Sequence, residues 1–347
     1  MKSVFPQSPH RRWNPLKREW VVVSPHRTER PWQGQTEDVA PSSSPTYDPA
    51  CYLCPGNTRA GGHRTPEYSG VYVFENDFAA LKADSPEATL DLDDRGLLRA
   101  ETEYGICRVL CFDPRHDLTL ATMETASIRR VVEMWAGQAA ELSADPRIRY
   151  VQIFENRGAM MGSSNPHPHG QIWATQHIPD EPSRELAAQL DYRTEHKQPL
   201  LSSYLAMELA EGERVVAENE TWAVVVPFWA VWPFEVLLLP RQDVARIEDL
   251  TEAQRDGLAR ILKLLTHGYN QIFHAPFPYS MGLHPAPADG KPHPEWLLHL
   301  HFYPPLLRSA TVKKFMVGFE LFGSPQRDIT PESAALRLRN AIANSAQ

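Results

Sequence analysis

Asn165-Pro166-His167-Pro168-His169-Gly170-Gln171 is the stretch around which the rest of the chain can be ordered. In an extended backbone, side chains two residues apart point the same way, so His167, His169 and Gln171 are expected on one face. Pro166 and Pro168 remove two amide donors and hold the backbone extended, which stiffens the presentation of both imidazoles. An imidazole near neutrality is a nucleophile toward phosphorus and a good leaving group from it. Transfer at phosphorus also needs donors around the nonbridging oxygens. The loop from Gly158 to Ser164 offers the hydroxyls of Ser163 and Ser164, and its glycines let backbone approach a phosphate closely. A lone His-x-His would be read as a proline-rich turn with surface histidines. The ordered run, with serines before it and Gln171 after it, reverses that reading.

Working outward, Tyr150 to Phe154 reads as a strand entering the loop. Before it, Ile128, Val131, Val132, Trp135, Ala139 and Leu142 recur at helical spacing and predict a helix over about 125–142. Strands are expected at Trp20 to Val23, Val71 to Phe74 and Gly105 to Phe112. Downstream, a polar helix starts near Pro182, and hydrophobic strands are expected at 221–226 and 234–239. Thr251 and Gln254 are spaced as a capping box, opening a helix that buries Leu258, Ile261, Leu262 and Leu265. Strands near Leu297 to Tyr303 and Lys314 to Phe319 follow, and Thr330-Pro331 opens a terminal helix with Ala334, Leu338 and Ile342 on one stripe. Each half therefore carries strands, one long amphipathic helix and a strand with His-x-His, the second being His299/His301. The economical reading is two related α+β units, 1–195 and 196–347.

Composition narrows the function. The chain has 347 residues, 42% of them hydrophobic, enough for one large or two ordinary domains. Thirty-five basic and 43 acidic residues leave a net charge of −8, which argues against a nonspecific nucleic-acid coat. A small phosphorylated substrate remains compatible, since a few cations make one positive pocket. The basic opening Met1 to Trp20 is broken by prolines and has no apolar core of a secretory leader. The most apolar stretch, Trp222 to Leu239, contains Pro227, Pro233 and Glu235 and reads as buried strands, so no membrane span is expected. Cys51 and Cys54, spaced as CxxC, fit a metal site in a cytoplasmic protein better than a disulfide framework. Alone, that pair is equally a redox couple or two buried thiols. Cys107 and Cys111 share a strand face with Val109 and read as core, with Cys111 a rival metal ligand. His299 and His301 share a face by alternation, while His293 reads as an interface or surface residue.

Phe154-Glu155-Asn156-Arg157-Gly158, and Met161-Gly162-Ser163-Ser164-Asn165-Pro166-His167-Pro168-His169-Gly170-Gln171-Ile172-Trp173, closely resemble the galactose-1-phosphate uridylyltransferase family of the histidine-triad superfamily. The similarity runs from the N-terminal arginine-rich segment to the terminal helix. It implies an α+β fold of two related histidine-triad-like units, their antiparallel sheets forming half-barrel-like domains with packed helices. It implies that His169 attacks the α-phosphorus of UDP-glucose, releasing glucose 1-phosphate, and that galactose 1-phosphate takes the uridylyl group to give UDP-galactose. Gln171 would hold the transferred group, with Ser163 at the position where members often carry cysteine. A serine still donates to phosphate oxygen, so altered tuning is expected there.

The resemblance also assigns ligands. Zinc would be held by Cys51, Cys54, His116 and His167, anchoring the segment that aims His169. Iron or zinc would be held by Glu185, His284, His299 and His301, a borderline-hard donor set. Arg27, Arg30, Asn76, Asp77, Asn156 and Ser164 correspond to nucleotide and phosphate contacts. Lys314, Phe315, Val317, Phe319, Glu320 and Gln326 correspond to the hexose and phosphate end. The family places residues of two subunits around each site, which implies a homodimer. Two rival readings stand beside it. One is adenine-dinucleotide tetraphosphate or ADP-sugar phosphorylase chemistry on a related scaffold. The other is a zinc-stabilised binding protein without turnover, which would form no covalent adduct.

Overall fold

A computed structural model describes residues 8–29, 44–93 and 95–344. The chain begins with β1 (His10–Asn14) and β2 (Glu19–Val23), a tight antiparallel hairpin, followed by β3 (Tyr72–Glu75). An exposed hairpin of β4 (Thr89–Asp91) and β5 (Arg99–Glu101) leads to β6 (Gly105–Cys111), α1 (Thr125–Ser143), β7 (Tyr150–Arg157) and β8 (His169–Thr175). Then come α2 (Asp180–His196), α3 (Leu200–Glu211), β9 (Val215–Glu218), β10 (Trp222–Val225), β11 (Val236–Pro240) and α4 (Glu252–Ile272). The chain closes with β12 (Tyr279–His284), β13 (His299–Tyr303), the short α5 (Phe319–Phe322), β14 (Gln326–Arg327) and α6 (Pro331–Asn344).

Nine strands form one antiparallel sheet in the order β3-β6-β8-β7-β12-β13-β11-β10-β9. Its midline is the pairing of β7 with β12, where Phe154 lies opposite Gly282 and Asn156 opposite Ser280. Outward from that seam both halves repeat one plan. The strand after the long helix (β7, β12) is followed by the strand bearing the histidines (β8, β13), then the strand before the helix (β6, β11). The expectation of half-barrel-like units is overturned. Each half spends the edge that could close a barrel on pairing with the other half, so the sheet stays open, ending at β3 and β9.

One face of the sheet is apolar and covered by helices. Ile172, Ala174, Val151, Ile153, Leu283, Leu300 and Leu238 pack with Trp135, Leu262 and Leu338 in the main core. The predicted capping box is present: the Thr251 hydroxyl accepts from the Gln254 amide, and the Gln254 side chain accepts from the Thr251 amide. Trp222, fully buried, places its indole N–H on the Gln254 carbonyl at 2.8 Å, joining β10 to the first turn of α4. Directly paired strand residues share a face. The register therefore puts Cys111, His169, Gln171, Phe154, Gly282, His284, His299 and His301 together on the opposite face.

Two other expectations change. Lys314 to Phe319 is not a strand: it passes from an isolated bridge at Lys313 through exposed residues into α5. Its alternating apolar residues have no strand partner among the described residues; Phe315, Val317 and Phe319 are 56%, 59% and 62% exposed. His293 is not a surface residue. It is buried, with Nδ1 2.8 Å from Glu295 and Nε2 2.7 Å from Asp289.

Candidate functional site

His169 is the first residue of β8, opposite Cys111 of β6. The extended backbone begins there. Pro166 to Pro168 form a bend, so His167 turns away instead of sharing the face of His169 and Gln171. Gly170 has a steric reason: a Cβ would lie 2.8 Å from the Phe154 carbonyl oxygen and 2.9 Å from the Phe112 ring. Any side chain there would push β8 off β7.

The His169 ring lies with Nδ1 2.7 Å from the His167 carbonyl oxygen. A carbonyl only accepts, so Nδ1 carries the proton and Nε2 keeps its lone pair. Burial pushes the His169 pKa below its ordinary value, although the carbonyl contact opposes this, and the ring stays neutral near pH 7. A cavity of about 240 Å³ opens beside it, lined by Asn156, Gly158, Ser163, Ser164, His167 and His169 among others. Gly158 enters the loop at φ 83°, a left-handed geometry that suits glycine.

The amides of this site have fixed orientations. The Gln171 Oε1 accepts from the Trp173 indole at 3.2 Å, so its NH₂ is left to donate elsewhere. Asn156 Oδ1 accepts from the Ser280 hydroxyl at 2.7 Å, likewise freeing its NH₂. The serines are less free. Ser163 donates to the Asn165 carbonyl at 3.0 Å, and Ser164 meets the Tyr52 hydroxyl at 3.3 Å.

Behind the bend, Cys51, Cys54, His116 and His167 bring their donor atoms within 4.8 Å of one another, all buried. Cys54 Sγ is 3.6 Å from Nδ1 of both His116 and His167. The Tyr68 hydroxyl donates to the Leu53 carbonyl at 2.6 Å, so its oxygen accepts the His167 Nε2 proton at 3.0 Å. The His167 Nδ1 lone pair is thereby turned to the cysteines, as a metal ligand requires. Burial pushes the Cys54 thiol up to about 11, so this thiol needs a cation beside it to ionise at neutral pH. The donor set fits a tetrahedral soft-to-borderline ion. Cys111 is buried beside this cluster but is not one of the converging four. Asn165 links the two sites, accepting from the His167 amide at 2.9 Å and donating to Cys51 Sγ at 3.3 Å.

Glu185 from α2 meets His284, His299 and His301 in a second cluster. Glu185 Oε2 is 2.8 Å from His284 Nδ1 and 3.1 Å from His299 Nε2, while Oε1 is 3.5 Å from His301 Nε2. His299 Nδ1 donates to the Leu297 carbonyl at 2.7 Å, so a neutral ring would aim its Nε2 lone pair at a carboxylate. Among the described residues, Glu185 Oε1 and both ring nitrogens of His301 are buried without hydrogen-bond partners. Burial also pushes the His301 pKa down to about 3, which keeps that ring a neutral donor. A cation held by Glu185 and one ring nitrogen of His301 would satisfy those two buried atoms and would separate the His299 lone pair from the carboxylate.

A third grouping lies apart from His169. A cavity of about 440 Å³ collects Arg27, Lys314, Phe315, Val317, Phe319, Glu320 and Gln326. Lys314 Nζ bonds Glu320 and the Gln326 carbonyl oxygen. Seven of the residues singled out in the sequence therefore meet, but not beside His169. Asn76 and Asp77 line neither cavity: Asn76 Oδ1 accepts from the Phe78 amide at 2.9 Å, and Asp77 pairs with Arg59 at 3.2 Å. Arg30 lies outside the described residues. Sequence reasoning missed Tyr68, which orients His167, and Asp328, which lines the larger cavity. Asp328 had a signal, standing two residues from Gln326; Tyr68 had none.

Among the described residues no helix is long and apolar enough to cross a membrane. The family described as galactose-1-phosphate uridyl transferase, N-terminal domain, matches residues 4–179, and its C-terminal domain matches residues 185–346. Galactose-1-phosphate uridylyltransferase of Haemophilus influenzae is 51% identical over 333 residues, covering 96% of this chain and 94% of its own length. The Rattus norvegicus protein of the same name is 50% identical over 344 residues, covering 98% and 90%. A solved uridylyltransferase superposes with a TM-score of 0.77 at 26% identity, covering 97% of this chain and 99% of that one. An ADP-glucose phosphorylase from Arabidopsis thaliana shares the fold, with a TM-score of 0.76, 24% identity, and coverage of 96% and 99%. Matched along almost its whole length, the chain belongs to the galactose-1-phosphate uridyl transferase family.

Proposed function

We propose that His169 is the uridylyl carrier of an enzyme converting UDP-glucose and galactose 1-phosphate to glucose 1-phosphate and UDP-galactose. The observation carrying this reading is the 2.7 Å bond from His169 Nδ1 to the His167 carbonyl, which reserves Nε2 for phosphorus. Nε2 attacks the α-phosphorus, the bond to the bridging oxygen breaks, and glucose 1-phosphate departs with that electron pair. The ring keeps its Nδ1 proton, so the adduct is a phosphorylated imidazolium whose charge faces the carbonyl dipole. That charge makes the ring a good leaving group when the phosphate oxygen of galactose 1-phosphate attacks. The NH₂ groups of Gln171 and Asn156 donate to the transferred group, and Ser163 and Ser164 supply further polar contacts.

Zinc suits the Cys51, Cys54, His116 and His167 set, where it acts as an anchor that fixes the bend aiming His169. Iron or zinc suits Glu185, His284, His299 and His301, which tie α2 to β12 and β13. Arg27, Arg30, Asn76, Asp77 and Lys314 serve phosphate and nucleotide binding. Phe315, Val317, Phe319, Glu320 and Gln326 serve the hexose. The separation of the larger cavity from His169 supports a homodimer in which each site draws its hexose-phosphate groups from the other subunit. The division at 195/196 into two units and a cytoplasmic location complete the reading.

The test is uridylylation without acceptor. Protein mixed with uridine-labelled UDP-glucose should gain one uridylyl group per chain by intact mass, on His169 after digestion, labile in acid. Galactose 1-phosphate should discharge it to UDP-galactose. Labelling by an adenine dinucleotide instead, or sugar exchange by protein that never carries the group, would overturn the proposal.

A further inference from the structure

Asp328 stands at the junction of three segments that share no sequence neighbourhood. Its Oδ1 accepts from Arg27 Nε at 3.0 Å and from Gln326 Nε2 at 2.7 Å. Its Oδ2 lies 3.9 Å from Arg308 Nη2, which donates to the Arg27 carbonyl oxygen at 2.6 Å. The aspartate is 13% exposed and lines the same cavity as Arg27 and Gln326. Backbone pairing fixes its place, because β14 runs parallel to β2 with Gln326 opposite Val22 and Arg327 opposite Val23. Arg327 locks that strand from beneath, fully buried and donating to the carbonyls of Ala230 and Pro233 at 2.8 and 3.1 Å.

An anion in the wall of a pocket for phosphate looks counterproductive, but its geometry says otherwise. The contact to Arg27 uses Nε and does not consume the Nη pair, the edge that grips phosphate in a two-point contact. The contact to Gln326 decides the amide orientation. A carboxylate only accepts, so the NH₂ must face Asp328, and Oε1 is turned the other way. An outward Oε1 accepts from a hydroxyl and cannot donate to one. We infer that Asp328 is a positioning residue for the hexose-phosphate pocket, holding Arg27 for the phosphate and setting Gln326 as an acceptor for a sugar hydroxyl. This rests on the assignment of Arg27 and Gln326 to substrate made above.

Asp328→Asn keeps size and polarity but loses the charge, and lets the Gln326 amide turn over. The probe is the uridylyl-enzyme, formed from UDP-glucose, freed of ligand, and discharged in single turnovers by galactose 1-phosphate or by water alone. The variant should need roughly tenfold more galactose 1-phosphate for half-maximal discharge rate. Discharge by water, where the sugar pocket is empty, and the thermal midpoint should match the wild type. Asp328→Glu should recover part of the acceptor affinity. An unchanged concentration dependence in Asp328→Asn, or equal slowing with water and sugar phosphate, would overturn the inference. Failure of the wild type to form any adduct would instead remove the functional reading beneath it.

Discussion

His167 and His169 stand two residues apart yet face different chemistry, and they are joined through one bond. The carbonyl oxygen of His167 takes the His169 Nδ1 proton at 2.7 Å, while the His167 ring turns its own Nδ1 toward Cys54 at 3.6 Å. A displacement of the bend would disturb the four-residue cluster and His169 together.

Replacing either histidine should separate the two roles. His169→Gln should fold with an unchanged metal content and form no uridylyl adduct, its turnover falling to background. His167→Gln should lose metal from the first cluster and transfer slowly, since a nucleophile displaced by about 1 Å loses on the order of a hundredfold. Metal analysis beside intact mass distinguishes them. An adduct on His169→Gln would remove that residue from the mechanism.

Metal removal gives the second prediction. Two buried thiols, two imidazoles and a separate buried carboxylate with three imidazoles are poor neighbours without cations. Two metal atoms per chain are expected by elemental analysis. A strong chelator should lower the thermal midpoint, and Cys51→Ser with Cys54→Ser should lower both that midpoint and the metal count by one. Unchanged melting after complete metal loss would show that neither cluster stabilises the fold.

How much of this was legible beforehand follows from physical range. The helix over Thr125–Ser143 and the Thr251–Gln254 box are local patterns, readable from spacing alone. The pairing of β7 with β12 is not local. Nothing in either strand names its partner, and it is this long-range register that makes the sheet open where half-barrels were expected. Alternation misled at Phe315, Val317 and Phe319, where apolar side chains line a cavity and face solvent instead of packing on a sheet. The bend at Pro166 to Pro168 was equally hidden, because proline favours extended backbone and the turn is imposed by Asn165 and the His167 carbonyl.

Glu155 carries a pH prediction. It lies buried on the helix-covered side of the sheet, accepting from the Tyr279 hydroxyl at 3.0 Å. Burial raises its pKa from 4.5 to about 7, against the opposing charge of Arg157. The folded state then holds a proton that the unfolded chain has lost, so stability falls as pH rises across that window. Glu155→Gln keeps an acceptor for Tyr279 and cannot ionise. It should be more stable than the wild type at pH 8, by about 1–3 kcal/mol, and equal to it at pH 4.5. Denaturant melts at the two pH values decide the matter; equal stability at pH 8 would mean the carboxyl ionises freely.

The last prediction concerns how His169 and Lys314, which line different cavities, would act on one substrate in the proposed reaction. If each site joins the nucleophile of one subunit to the lysine of its partner, two dead variants should complement. His169→Gln and Lys314→Ala are each expected to be nearly inactive as homodimers. In a mixed dimer one site carries both lesions and the other carries neither. Equal mixing with free exchange makes half the dimers mixed, so about a quarter of all sites are intact. Activity should rise toward about a quarter of the wild-type value as subunits exchange, on the timescale at which mixed dimers form. If Lys314 instead served the His169 of its own chain, every site in every dimer would carry one lesion. The mixture would then stay at background however long it stood, and the shared-site arrangement would be excluded.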